Sequence, residues 1–223
     1  MLFAVLACLV GRSEAADPIV SSTGGESLPK VLILGDSISI GYTPVVRRLL
    51  EGKAEVSRPK TNCGETRMGL KGIDSWLGDG RWDVIHFNWG LWDLCYRNPE
   101  AKTPGKRDKV NGKQSVPPEE YEANLEKLVE RMKQTGARLV WASTTSVPEG
   151  ETGRIVGDEV RYNAVAERVM KKHGVLIDDL HALTKTFGPE LFAKPADVHF
   201  KSQGNAKLGE QVSASILQAL KKK

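Results

Sequence analysis

The chain has 223 residues, of which 40% are hydrophobic and 27% charged, a length and composition that suit one soluble globular domain with a real core. The formal charge is only +4, and much of that excess sits in the terminal Lys221-Lys222-Lys223. With no basic stripe interleaved with aromatics, nucleic acid is excluded as a partner, and with no CxxC pair or His-x-x-x-His spacing, neither a metal nor a cofactor is expected.

Leu2 to Val10 is an apolar run followed by Ser13-Glu14-Ala15, which supplies small residues where a signal peptidase cuts. Residues 1–15 are therefore expected to be a signal peptide cleaved after Ala15, with an exported mature chain. The run is too short for a stable membrane anchor, and no later segment is long and apolar enough to cross a bilayer. Residues 16–28, rich in Ser, Gly and Pro, read as a flexible lead-in to a single domain over 29–223. Cys8 leaves with the signal, so the mature chain keeps Cys63 and Cys95, either as a disulfide across the same sheet edge or as two separate buried thiols.

The first strand is expected over Lys30 to Leu34. Four apolar residues, Val31-Leu32-Ile33-Leu34, end in the turn Gly35-Asp36-Ser37, the pattern of a strand buried on both faces of a parallel sheet. Ser37 then stands at the strand's C-terminal end, where open α/β sheets bind ligands and a helix N-terminus offers unpaired N–H groups to negative charge. It reads as a nucleophile or as the helix cap. The helix after it carries Tyr42, Val45, Val46, Leu49 and Leu50, and Gly52 stops it.

A second strand is expected at Ala54 to Ser57, then the turn Asn62-Cys63-Gly64-Glu65-Thr66, a helix from about Gly69 to Leu77, and a central strand at Asp83 to Asn88 bounded by Trp89-Gly90. His86, inside that strand, reads as a hydrogen-bonded core residue. Leu94 to Pro118 is a long irregular segment carrying Arg97, Lys102, Lys106, Arg107, Lys109 and Lys113 against Glu100 and Asp108. Connections of this length are uncommon in compact domains and are often binding loops, so it is expected either to wall a cleft for a polar or anionic substrate or to be a solvated insertion.

A helix opens at Pro117-Pro118-Glu119-Glu120 and buries Tyr121, Leu125, Leu128, Val129 and Met132, with Gly136 ending it. Strand Arg138 to Ser143, a loop over Thr144 to Gly153, helix Val156 to Lys172 and strand Val175 to Asp178 follow. Asp197-Val198-His199, before a last helical run, supplies an acid and a base, with His173 and His181 as weaker bases. Alternating strands and helices imply an α/β fold, a three-layer α/β/α sandwich on a mainly parallel five-stranded sheet. The Gly-Lys-Ser/Thr ending of a phosphate-binding loop, a Gly-x-Gly-x-x-Gly after a strand and the Gly-x-Ser-x-Gly elbow are all missing from the sequence.

Gly35-Asp36-Ser37, Gly64, the segment Asn88-Trp89-Gly90-Leu91-Trp92-Asp93 and Asp197-Val198-His199 together resemble, in order and spacing, the four blocks of the SGNH or GDSL-type esterase superfamily. The resemblance implies a flavodoxin-like strand order of 2-1-3-4-5 and a serine esterase. Ser37 would be the nucleophile, His199 the base and Asp197 its orienter. The Ser37 and Gly64 backbone N–H groups, with either the Asn88 amide or the Trp92 indole, would form the oxyanion hole, and Asp36 and Trp89 would be substrate-binding residues.

Two positions depart from the family pattern. The usual Asp-x-x-His would put the acid at position 196, which is alanine here, so either Asp197 completes a triad or Ser37 and His199 act as a dyad. Trp92 stands where the third block's asparagine belongs. The resemblance implies a small-molecule or polysaccharide ester as substrate, foremost an O-acetylated carbohydrate. The alternatives are a short-chain lipid esterase or lysophospholipase, and a carbohydrate-binding protein that kept the fold and lost catalysis.

Overall fold

A computed structural model describes residues 27–103 and 105–221. The expected signal peptide, and most of the lead-in, lie outside the described residues. In chain order the elements are β1 (Lys30–Leu34), α1 (Ser37–Leu49), β2 (Glu55–Ser57), α2 (Thr66–Leu77), β3 (Val84–Phe87), β4 (Tyr96–Asn98), β5 (Lys106–Arg107) and β6 (Lys113–Gln114). There follow α3 (Pro118–Lys133), β7 (Arg138–Ala142), α4 (Asp158–His173), β8 (Leu176–Asp178), α5 (Leu180–Lys185), a 3-10 turn at Pro189–Leu191 and α6 (Ser202–Lys221).

Five strands form one parallel sheet in the order β2-β1-β3-β7-β8, the topology that the family resemblance implied. Val31 to Leu34 pair with Val84 to Phe87 in register, so the C-terminal ends of β1 and β3 are neighbours. That pairing brings the Ser37 turn beside the Asn88 segment, which lies some fifty positions later in sequence. Helices α1 and α6 pack together on one face of the sheet and α2, α3 and α4 form a row on the other. Both faces are therefore covered, which is why β1 and β3 read as unbroken apolar runs. His86, fully buried in β3, has Nε2 3.0 Å from the Asp178 carboxylate, the hydrogen-bonded core role its position implied.

One local reading changes and one open alternative is decided. The segment Leu94 to Pro118 is not simply irregular: β5, β4 and β6 form a small antiparallel sheet on the edge where the parallel strands end. Strands of two or three residues escape detection because no period can be counted over them. Cys63 and Cys95 are separate buried thiols, not a bridge. Burial pushes the Cys63 thiol up to about 11, which keeps it protonated and unreactive at neutral pH.

Candidate functional site

Ser37 is the first residue of α1 and is released from capping it. Asp36 does that work: its carboxylate accepts the Ile38 N–H at 2.9 Å, and its own carbonyl accepts the Ser39 hydroxyl at 2.7 Å. The Ser37 hydroxyl is thereby free to face His199, with Oγ 2.8 Å from Nε2. The other ring nitrogen of His199, Nδ1, lies 2.6 Å from Asp197 Oδ1, and that same oxygen accepts the His199 backbone N–H at 3.0 Å. Ser37, His199 and Asp197 thus form one hydrogen-bonded chain, with His199 39% and Asp197 18% exposed.

The short Asp-x-His spacing closes this chain through an Asx turn, in which the Asp197 carboxylate folds onto the backbone N–H two residues on. Ala196, just before it, has φ +58°, the sole non-glycine in the left-handed region among the described residues, a conformation disfavoured for alanine by roughly 1–2 kcal/mol. Burial works to raise the Asp197 carboxyl. The two hydrogen bonds from His199, with the positive charges of His199 and Lys194, outweigh it and hold the group below its ordinary value.

The anion-facing donors differ in how free they are. The Ser37 backbone N–H has no partner among the described residues. The Gly64 N–H is held by the Asn62 side chain, whose Oδ1 accepts it at 2.9 Å, in a turn where Gly64 has φ +58° and needs to be glycine. The Asn88 amide donates to the Ala142 carbonyl at 2.7 Å and lies 3.3 Å from Thr144 Oγ1. The Trp92 indole N–H has no protein partner among the described residues. Nearby, Gly90 admits no side chain, since a Cβ would run into the Thr144 hydroxyl.

Two residues assigned to substrate binding are placed elsewhere. Trp89 is 1% exposed and packs in the core beside Phe87, and its indole N–H donates to the Cys63 carbonyl at 3.3 Å. Its work is to hold the Gly64 turn from beneath. Asp36 is buried as the helix cap, and burial pushes its carboxyl up against the Ile38 N–H and the positive charges of Arg154 and His199. Trp92 is the half-exposed tryptophan of the pair, with the Arg97 guanidinium 5.1 Å from its ring centre. Of the weaker bases, His173 Nε2 lies 2.5 Å from Glu126, whereas His181 Nε2 is buried 3.7 Å from Glu159 with no hydrogen-bond partner among the described residues.

Sequence reasoning missed a buried cluster beside this site. Glu151 and Arg154, each 2% exposed, pair at 2.9 Å, and Arg107 reaches the same carboxylate oxygen at 3.4 Å. Glu151 also accepts the Gly153 N–H through Oε2, and the Lys109 ammonium through its backbone carbonyl. Arg154 Nε donates to the Leu91 carbonyl at 2.7 Å. Part of the basic charge of the 94–118 segment therefore clamps the loop after β7. An acid and an arginine three apart in a loop give no signal of this in sequence.

Two open cavities lie near the site, neither of them lined by the triad residues themselves. One, of about 640 Å³, is lined by Val147, Val156, Val160 and Phe192 together with the polar Glu149, Glu159, His181 and Lys185, and reaches the residues Lys194 to Ala196 just before Asp197. The other, of about 440 Å³, lies between the Gly64 turn and the small sheet, where Trp92, Arg97 and Lys113 face it.

The whole arrangement matches solved structures closely in shape. A lipase/acylhydrolase from Enterococcus faecalis superposes with a TM-score of 0.70 at 18% identity, over 88% of this chain and 99% of that one. The fold is that of the SGNH hydrolases. An acetyl xylan esterase matches with a TM-score of 0.68 at 14% identity, over 84% of this chain and 99% of its own. A second acetylxylan esterase, from Geobacillus stearothermophilus, gives 0.65 at 18%, over 87% and 95%. No family model and no curated protein matches the chain.

Proposed function

We propose that the protein is a serine esterase that removes O-acetyl groups from a carbohydrate, with Ser37, His199 and Asp197 as its triad. The observation that carries this reading is the continuous chain from Ser37 Oγ to His199 Nε2 at 2.8 Å and from His199 Nδ1 to Asp197 at 2.6 Å. A hydroxyl so held loses its proton to the imidazole as it attacks an ester carbonyl, and the carboxylate steadies the imidazolium that forms. The imidazolium then gives that proton to the departing alcohol. Water repeats the sequence to release acetate.

The charge that develops on the carbonyl oxygen would meet the free Ser37 N–H first, with the Gly64 N–H joining once Asn62 lets it go. Asn88 remains the third donor candidate, its amide leaning on Ala142, and the free Trp92 indole is the alternative. The known acetylxylan esterases of this shape support the substrate class at the level of fold. The half-exposed Trp92 adds an aromatic face suited to a sugar ring. Export, read from Leu2 to Val10 and Ala15, would bring the enzyme to extracellular polysaccharide.

One observation favours a second reading, an esterase for short-chain lipids: the partly apolar 640 Å³ cavity beside Lys194 to Ala196 exceeds what an acetyl group needs. The deciding experiment compares hydrolysis of p-nitrophenyl acetate, p-nitrophenyl octanoate and acetylated xylan by the parent and by Ser37→Ala and His199→Ala. Turnover of the acetyl substrates that both variants lose sustains the proposal. A preference for the octanoate moves the assignment to lipid, and a parent inert on all three leaves only a binding protein.

A further inference from the structure

The basic residues of the 94–118 segment divide into two sets by what they touch. Arg107 and Lys109 are spent on Glu151, as described above. Arg97 and Lys113 lie on paired strands, opposite each other in register across β4 and β6, and both line the 440 Å³ cavity beside the Gly64 turn. The cavity is tied to the candidate active site by a buried strut. Asp93, the residue after Trp92, accepts both the Thr66 N–H at 2.8 Å and the Thr66 hydroxyl at 2.6 Å, which locks the Trp92 segment to the Gly64-Glu65-Thr66 turn.

We propose that this cavity is a subsite for an acidic sugar, a saccharide bearing a carboxylate or sulfate next to the ester-bearing unit. Arg97, seated over the Trp92 ring, and Lys113 are its cationic partners. The inference rests on the esterase reading of the neighbouring triad and names its substrate class.

Three observations converge. The Arg97 guanidinium lies over the Trp92 ring, 5.1 Å from its centre, and its Nη1 donates to the Gly105 carbonyl at 2.7 Å; its remaining N–H groups have no partner among the described residues. A guanidinium held at one side in this way keeps its free edge for a planar anion, the geometry arginine serves best. The Lys113 ammonium likewise has no partner among the described residues. Gln114 adds a neutral hydrogen-bonding group on the same wall, its amide nitrogen spent on Asp158 at 3.1 Å and its carbonyl oxygen left over.

Arg67, also on the wall, is neutralised by a two-pronged pair with Glu120 and by the Ser115 carbonyl. Glu65 contributes the one carboxylate of the lining. Arg97 and Lys113 outweigh it, so the cavity keeps a net positive charge beside an aromatic face. A neutral xylan would leave Lys113 unused, and an acyl chain would leave all three residues unused.

The test uses the full chain carrying Ser37→Ala, so that binding is measured without turnover. Calorimetric titration compares trigalacturonate, a sulfated galactan oligosaccharide and neutral xylotriose. An acidic ligand is expected to bind at least about tenfold more tightly than xylotriose, a preference that falls about fivefold when Lys113→Gln is added and shrinks at about 0.5 M salt. Whichever of the two acidic ligands binds better identifies carboxylate or sulfate as the natural anion. Lys102→Gln, in the same segment but outside the cavity, should keep the preference.

Equal binding of all three ligands, no binding at about 10 mM, which is weaker than roughly −3 kcal/mol, or a preference untouched by Lys113→Gln would each overturn the subsite. Hydrolysis of p-nitrophenyl acetate by the parent chain reports separately on the esterase reading. A binding failure and a catalytic failure are thereby told apart.

Discussion

Replacing Asp197 by asparagine isolates the part of the proposed triad that departs from the Asp-x-x-His pattern. The asparagine oxygen can still accept the His199 backbone N–H and Nδ1–H, so the ring's position survives and the carboxylate charge is what is lost. Two unit charges about 4 Å apart attract by about 4 kcal/mol at an effective dielectric of 20 and by about 1 kcal/mol in water. With Asp197 18% and His199 39% exposed, the pair sits between those limits. The expected penalty on the imidazolium-like transition state is thus about 2–3 kcal/mol, a loss of roughly 30- to 150-fold in kcat/KM. Stopped assays of p-nitrophenyl acetate hydrolysis over a range of pH, with circular dichroism to verify folding, measure it. A loss under about fivefold, or roughly 1 kcal/mol, would refute the reasoning and leave Ser37 and His199 as a dyad.

Other substitutions probe the supports of the site. Glu151→Ala strands the buried Arg154 guanidinium and should cost about 3–5 kcal/mol in urea denaturation; a loss under about 1 kcal/mol would mean that water already reaches the cluster. Burial pushes the Asp93 carboxyl up to about 7, so folding favours its protonated form. Its contribution to stability is full below pH 4 and fades as pH rises towards 7, and Asp93→Asn should gain about 3 kcal/mol on the parent between pH 5 and pH 8. Unchanged relative stability across that range would place the Asp93 carboxyl near its ordinary value. For the expected signal peptide, amino-terminal sequencing of secreted material should begin at Ala16.

The frame of the molecule was legible because its strands carry a strong signal. Val31 to Leu34 and Val84 to Phe87 lie in the middle of a sheet covered on both faces, so every position is apolar or, at His86, internally bonded. The candidate nucleophile and base were also legible, since each stands in a short block at a strand end or before a helix. Sequence could not say which tryptophan of Trp89 and Trp92 faces solvent. Both lie in a turn without a period, and burial of Trp89 follows from a tertiary fact, the approach of the Cys63 carbonyl. It likewise could not choose between Ser37 as cap and Ser37 as free hydroxyl, because Asp36 and Ser37 are both good caps and the backbone decides between them.

The acid one position nearer the histidine than the Asp-x-x-His pattern has it is accommodated by a local turn at Asp197. An acid two positions before the histidine reaches it through an Asx turn: Asp197 Oδ1 accepts the His199 backbone N–H at 3.0 Å and lies 2.6 Å from Nδ1, and the left-handed Ala196 precedes that turn. The loop after β7 passes close to that residue: a Cβ on Gly150 would come within 3.3 Å of the Ala196 Cβ. That loop is itself pinned by Glu151, through Arg154 to the Leu91 carbonyl and through Arg107 and Lys109 to the small sheet. The insertion therefore has two walls, one facing the cavity at Trp92 and the other bonded to the loop after β7.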